Sequence, residues 1–140
     1  DDTGTMRVNT NEKPHLNAAK KILVVDDNKL NIKVATRLLE DYGVTVDSVM
    51  SGIDCLEKIT AGNHYDLVLM DDMMPKMTGT QTLAKLKENP NYKTPTVALT
   101  ANAIAGMKEQ YLKAGFDDYL AKPIERKELD RIMNKYLNND

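Results

Sequence analysis

The chain is short of several things that would have named a function class at once. It has a single cysteine, Cys55, so no internal disulfide can form. That residue lies in a helical pattern and reads as a small buried hydrophobe rather than a redox group. No apolar run approaches the roughly 20 residues of a membrane span. No signal-peptide pattern opens the chain. Charge is balanced, with a formal net of −2 among 29% charged residues. That balance argues against a basic nucleic-acid face and against electrostatic membrane anchoring. The two histidines, His15 and His64, have no metal-ligand spacing and read as solvated surface. Glycine is missing from the turn after the first strand, where VVDDN places acids. A phosphate or dinucleotide bound there would need backbone amides instead. These exclusions leave a soluble module, expected in the reducing cytoplasm. Its 140 residues suffice for one domain with a real core. Asp1 rather than Met opens the chain, which fits a piece of a longer protein.

Residues 1–18 have no apolar period and are rich in Asn, Thr and Asp, as in a linker or tail. Residues 19–140 form the expected domain, alternating strand and helix patterns. Ile22 to Val25, Leu67 to Met70 and Thr96 to Leu99 are continuous apolar runs suited to strands covered on both faces. Val44 to Asp47 alternates like an edge strand, and Tyr119 to Ala121 is a short last strand. In the first helix Val34, Ala35, Leu38, Leu39 and Tyr42 make one stripe, stopped by Gly43. Ser51 with Asp54, and Thr78 with Gln81, read as capping boxes for the second and third helices. The fourth carries Ile104, Met107 and Tyr111 and stops at Gly115. The fifth carries Leu129, Ile132, Met133 and Tyr136. Five strand–helix units predict an α/β domain, a doubly wound parallel sheet with five helices.

Polar residues gather where the strand patterns end. Asp26 and Asp27 follow KILVV, Asp71 follows DLVLM, Thr100 follows VAL and Lys122 follows YLA. If the strands are parallel neighbours, these groups meet at the sheet edge where open α/β folds bind ligands. Asp26 and Asp27 end the first strand and open the first helix, which they could simply cap. With a third acid at the next strand end, they point instead to a hard cation. Mg²⁺ is usually held by one or two carboxylates plus phosphate oxygens. Asp71 then reads as a phosphoryl acceptor, and Lys122 as a point charge on the phosphoryl or on Asp71. Thr100 would donate its hydroxyl to a phosphoryl oxygen. Asp72 is the rival acceptor, but strand alternation sends it to the other side.

VVDDN, LMDDMMPKMTG, ALTANA and LAKP, in this order and spacing, resemble the receiver domain of two-component response regulators. The resemblance covers about Lys20 to Leu137 and is greatest to receivers attached to hybrid histidine kinases. It implies a flavodoxin-like, five-stranded sheet in the order 2-1-3-4-5. It also implies that Asp71 is the phosphoacceptor and that Asp26, Asp27, Asp71 and the Met73 backbone carbonyl hold Mg²⁺, with Mn²⁺ as an alternative. Thr100 and Tyr119 would be the conformational switch, and the proline after Lys122 is usually cis in the family. The implied partners are a histidine kinase or histidine phosphotransfer domain and a downstream protein. The latter would bind the fourth helix, last strand and fifth helix, around Met107, Tyr111, Tyr119 and Lys122. Neither nucleic acid nor membrane is expected to bind this domain.

Two other functions compete. A phosphatase with an aspartyl-phosphate intermediate wants an acid two residues after the nucleophile, where this chain has Met73. A pseudo-receiver scaffold would lack site residues, and none is missing. Any separate enzymatic activity, such as a histidine kinase core, is expected only in a longer parent.

Overall fold

The computed structural model describes residues 20–101 and 106–137. Strands and helices alternate as β1 (Lys21–Val25), α1 (Lys29–Glu40), β2 (Thr45–Val49), α2 (Gly52–Thr60), β3 (Leu67–Asp71), α3 (Gly79–Leu86), β4 (Thr96–Thr100), α4 (Met107–Ala114), β5 (Asp118–Ala121) and α5 (Arg126–Tyr136). The strands form one parallel sheet in the order β2-β1-β3-β4-β5. This is the expected flavodoxin-like topology. The expected tail, His15 and Ile104 lie outside the described residues.

Strand alternation divides the core in two. Ile22, Val24, Leu67, Leu69, Val97, Leu99 and Leu120 face one way and pack with Ala35 and Leu39 of α1 and with Leu129, Ile132 and Met133 of α5. Leu23, Val25, Val68, Met70 and Ala98 face the other way and pack with Cys55 of α2, Leu83 of α3 and Tyr111 of α4. Burial pushes the Cys55 thiol up to about 12, so it stays protonated and acts as a core hydrophobe. Among the described residues no helix is long and apolar enough to cross a membrane.

Local signals decide most boundaries. Thr78 and Gln81 make both bonds of a capping box on α3. On α2 only the Ser51 half of the expected box forms, by accepting from the Asp54 N–H. Gly43, Gly62 and Gly115 stop their helices with positive φ. Two expectations need correction. Asp26 and Asp27 do not open α1; Asn28 is its N-cap, accepting from the Leu30 and Asn31 N–H groups. Val34 does not join the buried stripe, because the core-facing line runs through Ala35, Leu39 and Tyr42. Val34 instead lies on a neighbouring ridge with Leu30, and both are exposed.

Buried Asp118 ties β5 to α5. It accepts from Arg131 Nη1 at 3.0 Å, Lys135 Nζ at 3.2 Å and the Tyr119 N–H at 2.8 Å. Burial pushes its carboxyl up, but those donors outweigh burial and hold it below the usual carboxylate value. A depressed carboxylate adds stability above its unfolded pKa, and that stability is lost as pH falls through the folded value. Asp118→Asn should therefore cost about 2 kcal/mol at neutral pH, in the range for bonds to a charged group. The difference from wild type should shrink as the pH falls below about 4. Chemical denaturation across that range checks it, and a gap independent of pH would refute the linkage.

Candidate functional site

The parallel register brings the strand-end residues together. Val25 lies opposite Met70, Asp71 opposite Leu99, and Thr100 opposite Ala121. Asp26 just after β1, Asp71 at the end of β3 and Lys122 just after β5 therefore meet at one edge. Asp26 continues the side-chain direction of Ile22 and Val24, and Asp71 that of Leu67 and Leu69, toward the α1 and α5 layer. Thr100 has the direction of Ala98 and faces the α2, α3 and α4 layer.

Asp71 is 2% exposed. Lys122 Nζ donates to its Oδ1 at 3.1 Å, and the Met73 N–H donates to the same oxygen at 3.1 Å. Both bonds fall on Oδ1, which among the described residues leaves Oδ2 as the oxygen with open lone pairs. Lys122 also lies 3.6 Å from Asp26 Oδ2, which gives that oxygen an opposite charge without a hydrogen bond. Asp26 Oδ1 accepts from the Asn28 N–H at 2.9 Å, while the buried Oδ2 has no hydrogen-bond partner among the described residues. Burial pushes the Asp26 carboxyl up, and the Asp71 carboxylate adds to this against the Asn28 N–H and Lys122. Exposed Asp27 completes the cluster, with one oxygen each from Asp26, Asp27 and Asp71 within 4.8 Å of one another. The Lys122–Pro123 bond is cis.

Asp72 points away from this cluster, as alternation predicts. Its Oδ1 accepts from the Thr80 N–H at 3.2 Å and the Thr80 hydroxyl at 2.9 Å. Met73 exposes 73% of its surface. Thr100 is buried, and Tyr119 is half-buried against the second core layer. Tyr111 does not lie on the outer face of α4. It is 4% exposed, and its hydroxyl donates to Thr100 Oγ1 at 3.0 Å.

Three residues with parts to play here escaped the sequence reading. Asn28 orders the turn after β1, and an Asn ahead of an apolar helical period was a usable signal. Thr80 holds Asp72, which spacing alone does not reveal. Gly79 lets α3 approach the backbone of Asp71 and Asp72. A Cβ there would lie 2.6 Å from the Asp71 carbonyl oxygen and 2.9 Å from Asp72 Cα.

Residues 22–134 match the family model of the response regulator receiver domain. The chain is 42% identical over 125 residues to hybrid signal transduction histidine kinase L of Dictyostelium discoideum, covering 85% of this chain and 7% of that protein. It is 40% identical over 119 residues to the signal transduction histidine-protein kinase BarA of Escherichia coli K12, covering 84% of this chain and 13% of that protein. The chain thus spans only a small part of these curated relatives. Among solved structures, the receiver domain of sensor histidine kinase PA1611 from Pseudomonas aeruginosa PAO1 has a TM-score of 0.77 at 36% identity. The match covers 87% of this chain and all of that one, which was crystallised with a magnesium ion coordinated in its active-site cleft. The sheet order, the family match and these relatives lead to one conclusion: the chain belongs to the receiver domains of two-component signalling.

Proposed function

We propose that this domain takes a phosphoryl group from a phosphohistidine onto Asp71 and changes conformation in response. The observation that carries this reading is the buried Asp71 carboxylate, clustered with two other acids and held through one oxygen by Lys122. Asp71 Oδ2 attacks phosphorus, the bond from phosphorus to the imidazole nitrogen breaks, and the imidazole leaves with that electron pair. Lys122 balances charge on the acceptor before transfer and on the phosphoryl group after it. The orphaned Asp26 Oδ2 and the three clustered carboxylates suit a hard dication. Asp26, Asp27, Asp71 and the Met73 carbonyl would hold Mg²⁺, with Mn²⁺ able to replace it. Bound there, the ion would neutralise phosphoryl charge. The magnesium in the Pseudomonas receiver supports this choice.

Thr100 then donates to a phosphoryl oxygen, and the space it leaves is taken by Tyr119. The downstream partner reads α4, β5 and α5. The donor docks beside α1, where Leu30 and Val34 are exposed next to a cavity of about 230 Å³ lined by Asp26, Leu99, Lys122 and Pro123. Residues 19–140 act as the receiver, with 1–18 as a tail, inside the cytoplasm and within a longer sensor kinase or alone. The test is labelling by a phosphohistidine donor and by acetyl phosphate. Mg²⁺-dependent gain of one phosphoryl group is expected, and no gain from either donor would overturn the function.

The lifetime of the phosphoryl group depends on water reaching it. Met73 stands two residues after the acceptor and cannot usefully orient that water with its thioether. Asn102, the other candidate for that task, lies outside the described residues. Met73→Asn should speed loss of the label several-fold, where tenfold would be 1.4 kcal/mol of barrier. Decay of label in both proteins decides it, and an unchanged or slower rate would remove Met73 from this role.

A further inference from the structure

Outside the acid cluster, the described residues hold another buried polar contact that reaches the site. Tyr111 of α4 donates its hydroxyl to Thr100 Oγ1 at 3.0 Å, with both residues buried. The ring stands edge-on to Phe116, with centroids 5.8 Å apart and planes at 88°, so packing fixes where the hydroxyl points. Burial pushes the phenol up and keeps it a protonated donor at neutral pH. The Asp72 carboxyl faces the same hydroxyl, and its Oδ1 is already engaged by Thr80.

Thr100 and Asp71 leave neighbouring strands toward opposite layers of the core. To reach an oxygen on Asp71, Oγ1 must swing across the end of β4 and away from α4. We propose that Tyr111 is a positioning residue for the switch: its hydroxyl holds Thr100 on the α4 side until a phosphoryl group on Asp71 draws it away. One hydrogen bond thereby couples α4 to the state of the acceptor. When Thr100 leaves, the Asp72 carboxylate is the acceptor that remains for the phenolic proton, so the hydroxyl is not stranded in the core. The role rests on Asp71 being the phosphoacceptor.

Beryllofluoride with Mg²⁺, a mimic of the phosphoryl group, provides the test on the intact chain. Tyr111→Phe removes the hydroxyl and keeps the ring. It should tighten beryllofluoride binding about fivefold in calorimetric titration. That is about 1 kcal/mol at tenfold per 1.4 kcal/mol, the size of one net hydrogen bond. In a Thr100→Val background the same substitution should leave affinity unchanged. In the wild type, the Tyr111 ¹³Cζ resonance should move when beryllofluoride saturates the site. Equal or weaker binding by Tyr111→Phe overturns the role, as does an effect that persists in Thr100→Val. If Tyr111→Phe does not fold, the wild-type resonance decides alone, and a stationary signal at saturation overturns the proposal. A wild-type protein that binds no beryllofluoride overturns the phosphoacceptor reading and this role with it. Binding without any Tyr111 effect refutes only the role.

Discussion

Asp71→Asn should take up no phosphoryl group from a small phosphodonor and Mg²⁺, while Asp72→Asn should label like the wild type. The two acids are neighbours in sequence and both are carboxylates, so only their surroundings separate them. Asp71 shares its edge with Asp26 and Lys122, and its Oδ2 carries no bond among the described residues. Asp72 spends Oδ1 on the Thr80 N–H and hydroxyl, at the second core layer. If Asp71 is the nucleophile, its loss removes the covalent route, so the expected fall in labelling rate is several orders of magnitude. Intact mass resolves a single added phosphoryl group. Equal labelling of Asp71→Asn would transfer the acceptor role to Asp72 and refute the assignment.

The acid pair should show a reversal of stability with metal. Asp26→Asn removes a charge from beside Asp71 while its side-chain oxygen can still accept from the Asn28 N–H. Without metal that variant should melt above the wild type, because a buried repulsion has gone. Saturating Mg²⁺ should raise only the wild type. A ligand at one hundred times its Kd adds about 2.7 kcal/mol, enough to place the wild type above Asp26→Asn. Asp27→Ala should behave differently, because Asp27 is exposed. Its metal-free melting point should stay close to wild type, and it should lose both the Mg²⁺ stabilisation and the labelling. Thermal melts with and without MgCl₂ test both variants. Retained Mg²⁺-dependent labelling in Asp27→Ala would show that this side chain holds no metal.

Legibility in the sequence followed the range of the interaction. Continuous runs such as Leu67 to Met70 announced central strands because both faces are covered. The Thr78–Gln81 box announced α3 because capping acts over one turn. The site acids stood out because several polar residues ended apolar runs. The errors came where a neighbour in space decided the outcome. Val34 and Ala35 are adjacent, and only contact with the sheet and α5 reveals which one is core. Tyr111 fits the helical period of an outer face as well as an inner one, and Thr100 and Phe116 settle it. The start of α1 moved because Asn28 competed with two acids for the cap.

The contact of Gly79 with the backbone of Asp71 and Asp72 has a consequence for engineering. Most constraints on a signalling site pass through side chains and can be relaxed by compensating exchanges. Here the obstructing atoms are main chain, present whatever residues surround them. A saturation library at position 79 should therefore collapse to glycine under selection for signalling, even after the acids, the lysine and the threonine have been redesigned around a new chemistry. Attempts to retune Asp71 can change the charges around it, but they inherit a fixed seat for α3.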